Sequence, residues 1–182
     1  MKKYKVLFCD LDDTLIETIS GNTFPEGIWD MKIKFDVLDA IKKLAPNCVF
    51  IVSNQGGIEK GFVDRRNFEF KMEYIIRSIK EYINVFAEYS YCDSNDEKHH
   101  YRKPNTGMLE SLLFKCQTKW FKHDDTSKED CLMIGDASGL DGQFSDSDKK
   151  TAENFGIDYM DVNEFVKIMI DYDNNQNNNT PL

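Results

Sequence analysis

The sequence predicts a three-layer α/β protein: a parallel sheet with helices on both faces. Three observations predict it. Short apolar runs recur along the chain: KVLFC (Lys5–Cys9), CVFIVS (Cys48–Ser53), VFAEYSY (Val85–Tyr91) and CLMI (Cys131–Ile134). Segments with helical apolar spacing separate them. The runs are continuously apolar, as strands covered on both faces are, and do not alternate with polar residues.

Each element follows in order. Lys5–Cys9 is the first strand. Asp36–Leu44 sets Val37, Leu38, Ile41 and Leu44 on one helical face, and Pro46 prevents extension. Cys48–Ser53 is the second strand. Asp64–Ile83 is the clearest helix, with Phe68, Met72, Ile75, Ile76, Ile79 and Ile83 as its apolar stripe and Asp64 as N-cap. Val85–Tyr91 is the third strand. Thr106–Lys119 reads as a helix with Met108, Leu109, Leu112, Leu113 and Cys116 inward. Cys131–Ile134 is the fourth strand, and Asp148–Phe155 a helix stopped by Gly156. Tyr159–Met160 supplies a short fifth strand and Glu164–Tyr172 a last helix. One domain spans residues 1–170. The Asn-rich stretch 171–182 (DYDNNQNNNTPL) cannot bury apolar area and reads as a disordered tail.

Bulk properties narrow the class. A chain of 182 residues fits one domain, since domains commonly run ~100–200 residues. Hydrophobic content of 41% and charged content of 30% suit a globular protein with a real core. No stretch approaches the ~18 apolar residues of a membrane span. The apolar run behind the first two lysines ends at Cys9, too short for a signal-peptide core. The five cysteines are odd in number and form no CxxC, which fits reduced thiols in an intracellular protein, cytoplasmic or nuclear and not secreted. A net charge of −9 argues against a generally basic nucleic-acid surface, though not against a local basic patch.

The chemistry-bearing residues sit where strands end, the place at which open α/β sheets bind ligands. The first strand runs into Asp10, Asp12, Asp13 and Thr14, the second into Ser53, Asn54 and Gln55, the fourth into Gly135 and Asp136. The loop after the third carries Arg102, Lys103 and Pro104. Clustered carboxylates resist desolvation and need a cation, a proton or a wet surface. Carboxylates, a hydroxyl, backbone amides and an ammonium together suit a hard divalent cation and a phosphoryl group.

These residues are similar to the motifs of a known family. CDLDDTL resembles the first motif of the haloacid-dehalogenase (HAD) superfamily of aspartate-nucleophile phosphatases, VSNQ the second, RKP the third, and IGDASG followed by SDSDKKTAENFGI the fourth. TFPEG (Thr23–Gly27), SNQGGIEKG (Ser53–Gly61) and YRKPNTGM (Tyr101–Met108) resemble the phosphatase domain of the polynucleotide kinase 3'-phosphatases, from about Lys5 to Phe165. The resemblance implies a Rossmann-like, HAD-like fold and a set of roles. Asp10 would be the nucleophile and Asp12 the acid-base. Asp10, the Asp12 carbonyl and Asp136 would hold Mg2+. Ser53 and the Asn54 amide would hold phosphoryl oxygens, and Lys103 would balance charge on the aspartyl phosphate. Asp148 has two readings, the second acid of the fourth motif or a helix N-cap; Asp141 and Asp146 are weaker candidates. Asp13, at a position often Gly in the family, is a departure without a catalytic role.

The same resemblance places Lys60 and Arg102 on a nucleic-acid backbone. Phe24 could stack on a base or cap the core. Lys32, Lys34, Arg65 and Arg66 could add to a basic funnel on an otherwise acidic body. The spacings from Leu15 to Val52 and from Asn54 to Lys103 leave room for a flap and for ordinary elements, not for a large cap domain. An uncapped site admits a polymer end. No GxxxxGK[ST] loop occurs, so no kinase half is expected in this sequence. The expectation is a monomeric, stand-alone 3'-phosphatase acting on the 3'-phosphates of polynucleotide ends, DNA first and RNA second. Two alternatives stand beside it: a small-molecule phosphatase of the histidinol-phosphate or heptose-bisphosphate type, and a receiver-like phosphoacceptor. The missing cysteine-rich loop counts against the first. The position of the acidic residues counts against the second.

Overall fold

Local sequence sets thirteen elements in a computed structural model, which describes residues 2–22, 25, 27–121 and 125–177, side chains of 173–177 excepted. Val6–Cys9 (β1) is entirely buried. Ile16–Thr18 (β2) and Met31–Ile33 (β3) pair antiparallel as a small hairpin. Phe35–Leu44 (α1) follows and ends on Ala45 in a left-handed cap. Cys48–Asn54 (β4) leads into the short helix Gly56–Glu59 (α2). Arg65–Ile83 (α3) begins where Asp64 accepts the Asn67 amide at 2.9 Å, the expected N-cap. Phe86–Cys92 (β5), Gly107–Lys115 (α4), Cys131–Gly135 (β6), Ser147–Phe155 (α5), Asp158–Asp161 (β7) and Val162–Asn177 (α6) complete the chain.

The five long-range strands order β5-β4-β1-β6-β7, every pair parallel. Alternate residues of β1 divide the core. Leu7 and Cys9 face α1, α3 and α6, in one cluster with Ile41, Phe68, Ile75 and Phe165. Val6 and Phe8 face α4 and α5, with Leu109, Leu112 and Phe155. Each of these side chains is at most 5% exposed, and burying one contributes roughly 1.5–3 kcal/mol. All five cysteines are buried and none is in a disulfide. Among the described residues, no helix is long and apolar enough to cross a membrane.

The sheet and its helices match the sequence expectation; the corrections are local. The helix expected to reach Lys119 is α-helical only to Lys115, and a π turn, Cys116–Trp120, finishes it. The last helix starts two residues early, because the Asp161 carboxylate accepts the Asn163 amide at 2.9 Å. It also runs past the boundary expected at 170, through Asn177. Propagating a helix already anchored by Phe165 and Met169 costs only tenths of a kcal/mol per residue, about 0.7 at most for Asn or Asp. The hairpin is the flap for which the spacing left room. Ser20 closes it, donating its amide and hydroxyl to Asp30 at 2.7 and 2.8 Å.

Asp161 ties β7 to the loop after β6. Burial alone would raise its carboxyl, but donors from Ser138, Gln143 and the Asn163 and Glu164 amides outweigh this and hold its pKa below the ordinary value. The stabilisation is therefore present above the unfolded carboxylate range and lost as pH falls through the lower folded value. Asp161→Ala should lower unfolding free energy by about 2–3 kcal/mol at pH 7, since hydrogen bonds to charged groups contribute ~1.5–3 kcal/mol. In urea titrations the gap to the wild type should narrow as pH drops below the usual carboxylate range.

Candidate active site

The site forms where β1, β4 and β6 end. The Asp10 amide extends the ladder to the Ile134 carbonyl at 3.0 Å, so Asp10 leaves the sheet in register. The chain then turns at Asp13 (φ 58°), a left-handed position that Asp tolerates better than most residues. The Lys34 ammonium holds the Asp13 carbonyl at 2.9 Å from the flap side. Thr14, fully buried, donates to Asp136 Oδ1 at 3.2 Å, linking the ends of β1 and β6.

Lys103 lies at the centre. Its ammonium contacts Asp10 Oδ1 and lies 2.7 Å from Asp148 Oδ1. Burial works against its charge, but Asp10 and Asp148 overcome this and raise its pKa. Its backbone is fixed as firmly: the Lys103 amide donates to Asn54 Oδ1 at 2.9 Å, and Asn54 Nδ2 donates to the Lys103 carbonyl at 3.0 Å. Asp148 is not the N-cap of α5, a place taken by Asp146. It is 1% exposed and accepts from both Lys103 and the Ala137 amide. Gly135 makes room for it: a Cβ there would stand 2.2 Å from Asp148 Oδ2.

Asp12 faces a second group. Gln55 Nε2 donates to Asp12 Oδ2 at 2.7 Å and to Ser53 Oγ at 2.8 Å. Asp12 Oδ1 is buried without a hydrogen-bond partner, and the Lys71 ammonium lies 3.9 Å from it. Burial raises the Asp12 carboxyl against the opposing pull of Lys71 and Gln55. Burial also raises Asp10, with Asp148 and Asp12 adding to it and Lys103 opposing. Sequence reasoning missed Lys71. The signal was its position on the apolar stripe of α3, three residues past Phe68 and four before Ile75.

Asp10, Asp136 and Asp148 each bring a carboxylate oxygen within 4.8 Å of the other two. Only hard oxygen donors converge there, and the Lys103 ammonium pairs with just two of the three carboxylates. That donor set fits an oxygen-preferring divalent cation such as magnesium. Asp12, expected to contribute a carbonyl, keeps its carboxylate outside the group.

The expected substrate contacts are less tightly gathered. Lys60 is exposed at the end of α2. Arg102 is half-buried and donates to the Ser94 carbonyl at 2.8 Å. Phe24 lies outside the described residues. Of the further basic residues, Lys32 pairs with Glu17 and Arg65 with Asp93, while Arg66 is exposed. Asp141 is exposed and Asp146 pairs with Lys150 at 2.7 Å, so neither joins the carboxylate group.

Comparison with known proteins decides the family. The family model for polynucleotide kinase 3 phosphatase matches residues 5–166. The chain belongs to that family. It is a HAD-type phosphatase. A 20.8 kDa protein of Autographa californica nuclear polyhedrosis virus is 29% identical over 93% of this chain and 90% of its own length. The bifunctional polynucleotide phosphatase/kinase of Schizosaccharomyces pombe is 30% identical over 90% of this chain, which spans 38% of that protein. A histidine biosynthesis bifunctional protein of Campylobacter jejuni is 29% identical over 84% of this chain and 40% of its own length. Among solved structures, D,D-heptose 1,7-bisphosphate phosphatase from B. bronchiseptica, complexed with magnesium and phosphate, has the same fold, with a TM-score of 0.61 at 17% identity over 92% of this chain and 99% of that one.

Gly135→Ala tests the placement of Asp148. The added methyl would push Asp148 off Lys103, so turnover should fall at least about tenfold, because misplacing a reacting group by ~1 Å can cost 10²-fold. A phosphate-release assay checks this, with circular dichroism reporting that the fold persists.

Proposed function

We propose that this HAD-type phosphatase removes 3'-phosphates from polynucleotide ends, magnesium-dependently and through an aspartyl phosphate on Asp10. The observation that carries the reading is the family match across residues 5–166, joined to an open site. Between β1 and α1 the described chain adds only the β2–β3 hairpin and a single 3-10 turn, Ile28–Asp30. Between β4 and Lys103 it adds α2, α3, β5 and one loop. Among the described residues nothing of domain size stands over the strand ends, which supports entry of a polymer end.

An Asp10 carboxylate oxygen would attack phosphorus in line, and the bond from phosphorus to the 3'-oxygen would break. Asp12 would deliver its proton to that departing oxygen. Its raised pKa supports the role, since a carboxyl must still hold a proton near neutral pH to give one. Asp12 would then take a proton from the water that attacks the aspartyl phosphate, releasing phosphate and restoring Asp10. Gln55 would keep Asp12 and Ser53 in fixed relation, so that acid and phosphoryl-holding hydroxyl move together. Lys103 would stabilise the negative charge gathering on Asp10 and the phosphoryl oxygens. Asp10 and Asp136, with the Asp12 carbonyl, would hold the magnesium ion. When bound, that ion offsets the repulsion between carboxylates and an incoming phosphate.

The relatives named for histidine biosynthesis and for a heptose bisphosphate favour a second reading, a small-molecule phosphatase on the same fold. One phosphate-release panel separates the two: 3'- and 5'-phosphorylated DNA and RNA oligonucleotides, histidinol phosphate and a heptose bisphosphate. The 3'-phosphorylated oligonucleotides should have the highest kcat/KM; a metabolite ahead of them would reject the polynucleotide reading. Chelation with EDTA should stop turnover. Asp10→Asn should leave no detectable activity, and Asp12→Ala about 100-fold less or below, because general acid-base catalysis contributes ~10²–10⁴-fold.

A further inference from the structure

The loop from Ser138 to Ser145 connects two site carboxylates along the chain, Asp136 before it and Asp148 after it. It is short, yet held from behind by a directed set of hydrogen bonds. Asp161, ionised and able only to accept, takes Ser138 Oγ at 2.7 Å and Gln143 Nε2 at 2.8 Å on one oxygen. Ser138 Oγ also lies 2.6 Å from the Tyr159 hydroxyl, which donates to the Gly135 carbonyl at 3.0 Å. Gln143 uses its other amide atom too: Oε1 accepts the Ser138 amide at 2.8 Å and the Leu140 amide at 3.1 Å. The Gly139 amide closes the base onto the Ser145 carbonyl at 3.1 Å. At the tip, the Gln143 amide donates to the Leu140 carbonyl at 3.0 Å across a turn with Gly142 at φ 86°, the conformation that favours glycine.

This scaffolding fixes the polar residues of the loop and leaves its two large apolar side chains outside. Phe144 is 102% exposed and Leu140 57%. A mobile loop would lose much of any contact energy to ordering; one already fixed does not.

We propose that this loop is a preformed substrate contact, in which the exposed Phe144 meets the nucleoside that carries the phosphate. The inference rests on the polynucleotide reading and names a contact within it. The phosphoryl group, bound between the feet of the loop, sets its nucleoside against the wall that the loop forms. A base offers a flat π-face, and an exposed phenylalanine stacks on one without regard to sequence. That contact rewards a nucleotide end and offers nothing to a compact phosphate ester.

The test compares kcat/KM for a 3'-phosphorylated oligonucleotide with kcat/KM for p-nitrophenyl phosphate, in the full chain with magnesium. In Phe144→Ala the ratio of the two should fall about tenfold, within the range that base–aromatic stacking carries. Phe114→Ala is the control: this phenylalanine, 65% exposed, lies on α4 away from the strand ends, and its removal should leave the ratio as in the wild type. An unchanged ratio in Phe144→Ala, with a wild type that hydrolyses the oligonucleotide, would overturn this contact and leave the polynucleotide reading intact. An equal drop in both variants would also overturn it. A wild type that ignores the oligonucleotide but turns over a metabolite would overturn both.

Discussion

One ammonium organises the strand ends. Lys103, almost entirely buried, contacts Asp10 at the end of β1 and Asp148 in the first turn of α5, while its backbone is locked to Asn54 at the end of β4. Removing two carboxylates and an ammonium from water costs several kcal/mol per ion, repaid only by good geometry and further hydrogen bonds. The surroundings supply both: Gly135 clears space for Asp148, and the Ala137 amide takes its second oxygen. A buried charge cluster of this kind is weak support for stability. What it provides is fixed geometry, with the Asp10 carboxylate held in one place before any substrate arrives.

Around that centre the two acids are set apart by their neighbours. Asp10 faces a cation and two further carboxylates; Asp12 faces the Gln55 amide, itself bonded to the Ser53 hydroxyl, and a more distant lysine. On the proposed chemistry this division matters, because one must attack while the other carries a proton. Lys71 approaches Asp12 without bonding it, which leaves one carboxylate oxygen uncommitted.

Much of this was legible in the sequence. The four main strands declared themselves because both their faces are buried and their apolar runs are unbroken. Asp10, Ser53, Lys103 and Asp136 could be placed because strand ends in a parallel sheet share one rim. The flap strands were not legible, being three residues each with Glu17, Thr18 and Lys32 facing outward. The extension of α6 was hidden by its Asn-rich composition, which argues against nucleating a helix but only mildly against continuing one. Asp148 was undecided between cap and site because both readings need an acid near a helix start; only the position of Lys103 separates them. The sequence could not show that Lys32 and Arg65, expected in a basic funnel, pair with Glu17 and Asp93, since those partners come from other segments.

The central claim, that Asp10 itself takes the phosphoryl group, has a direct chemical test. An acyl phosphate is reduced by borohydride to an alcohol, which converts the aspartate that carried it into homoserine. Enzyme quenched during turnover of a 3'-phosphorylated oligonucleotide, reduced and digested, should yield homoserine at position 10 by peptide mass spectrometry. Homoserine at Asp12, Asp136 or Asp148, or at no position, would contradict the account.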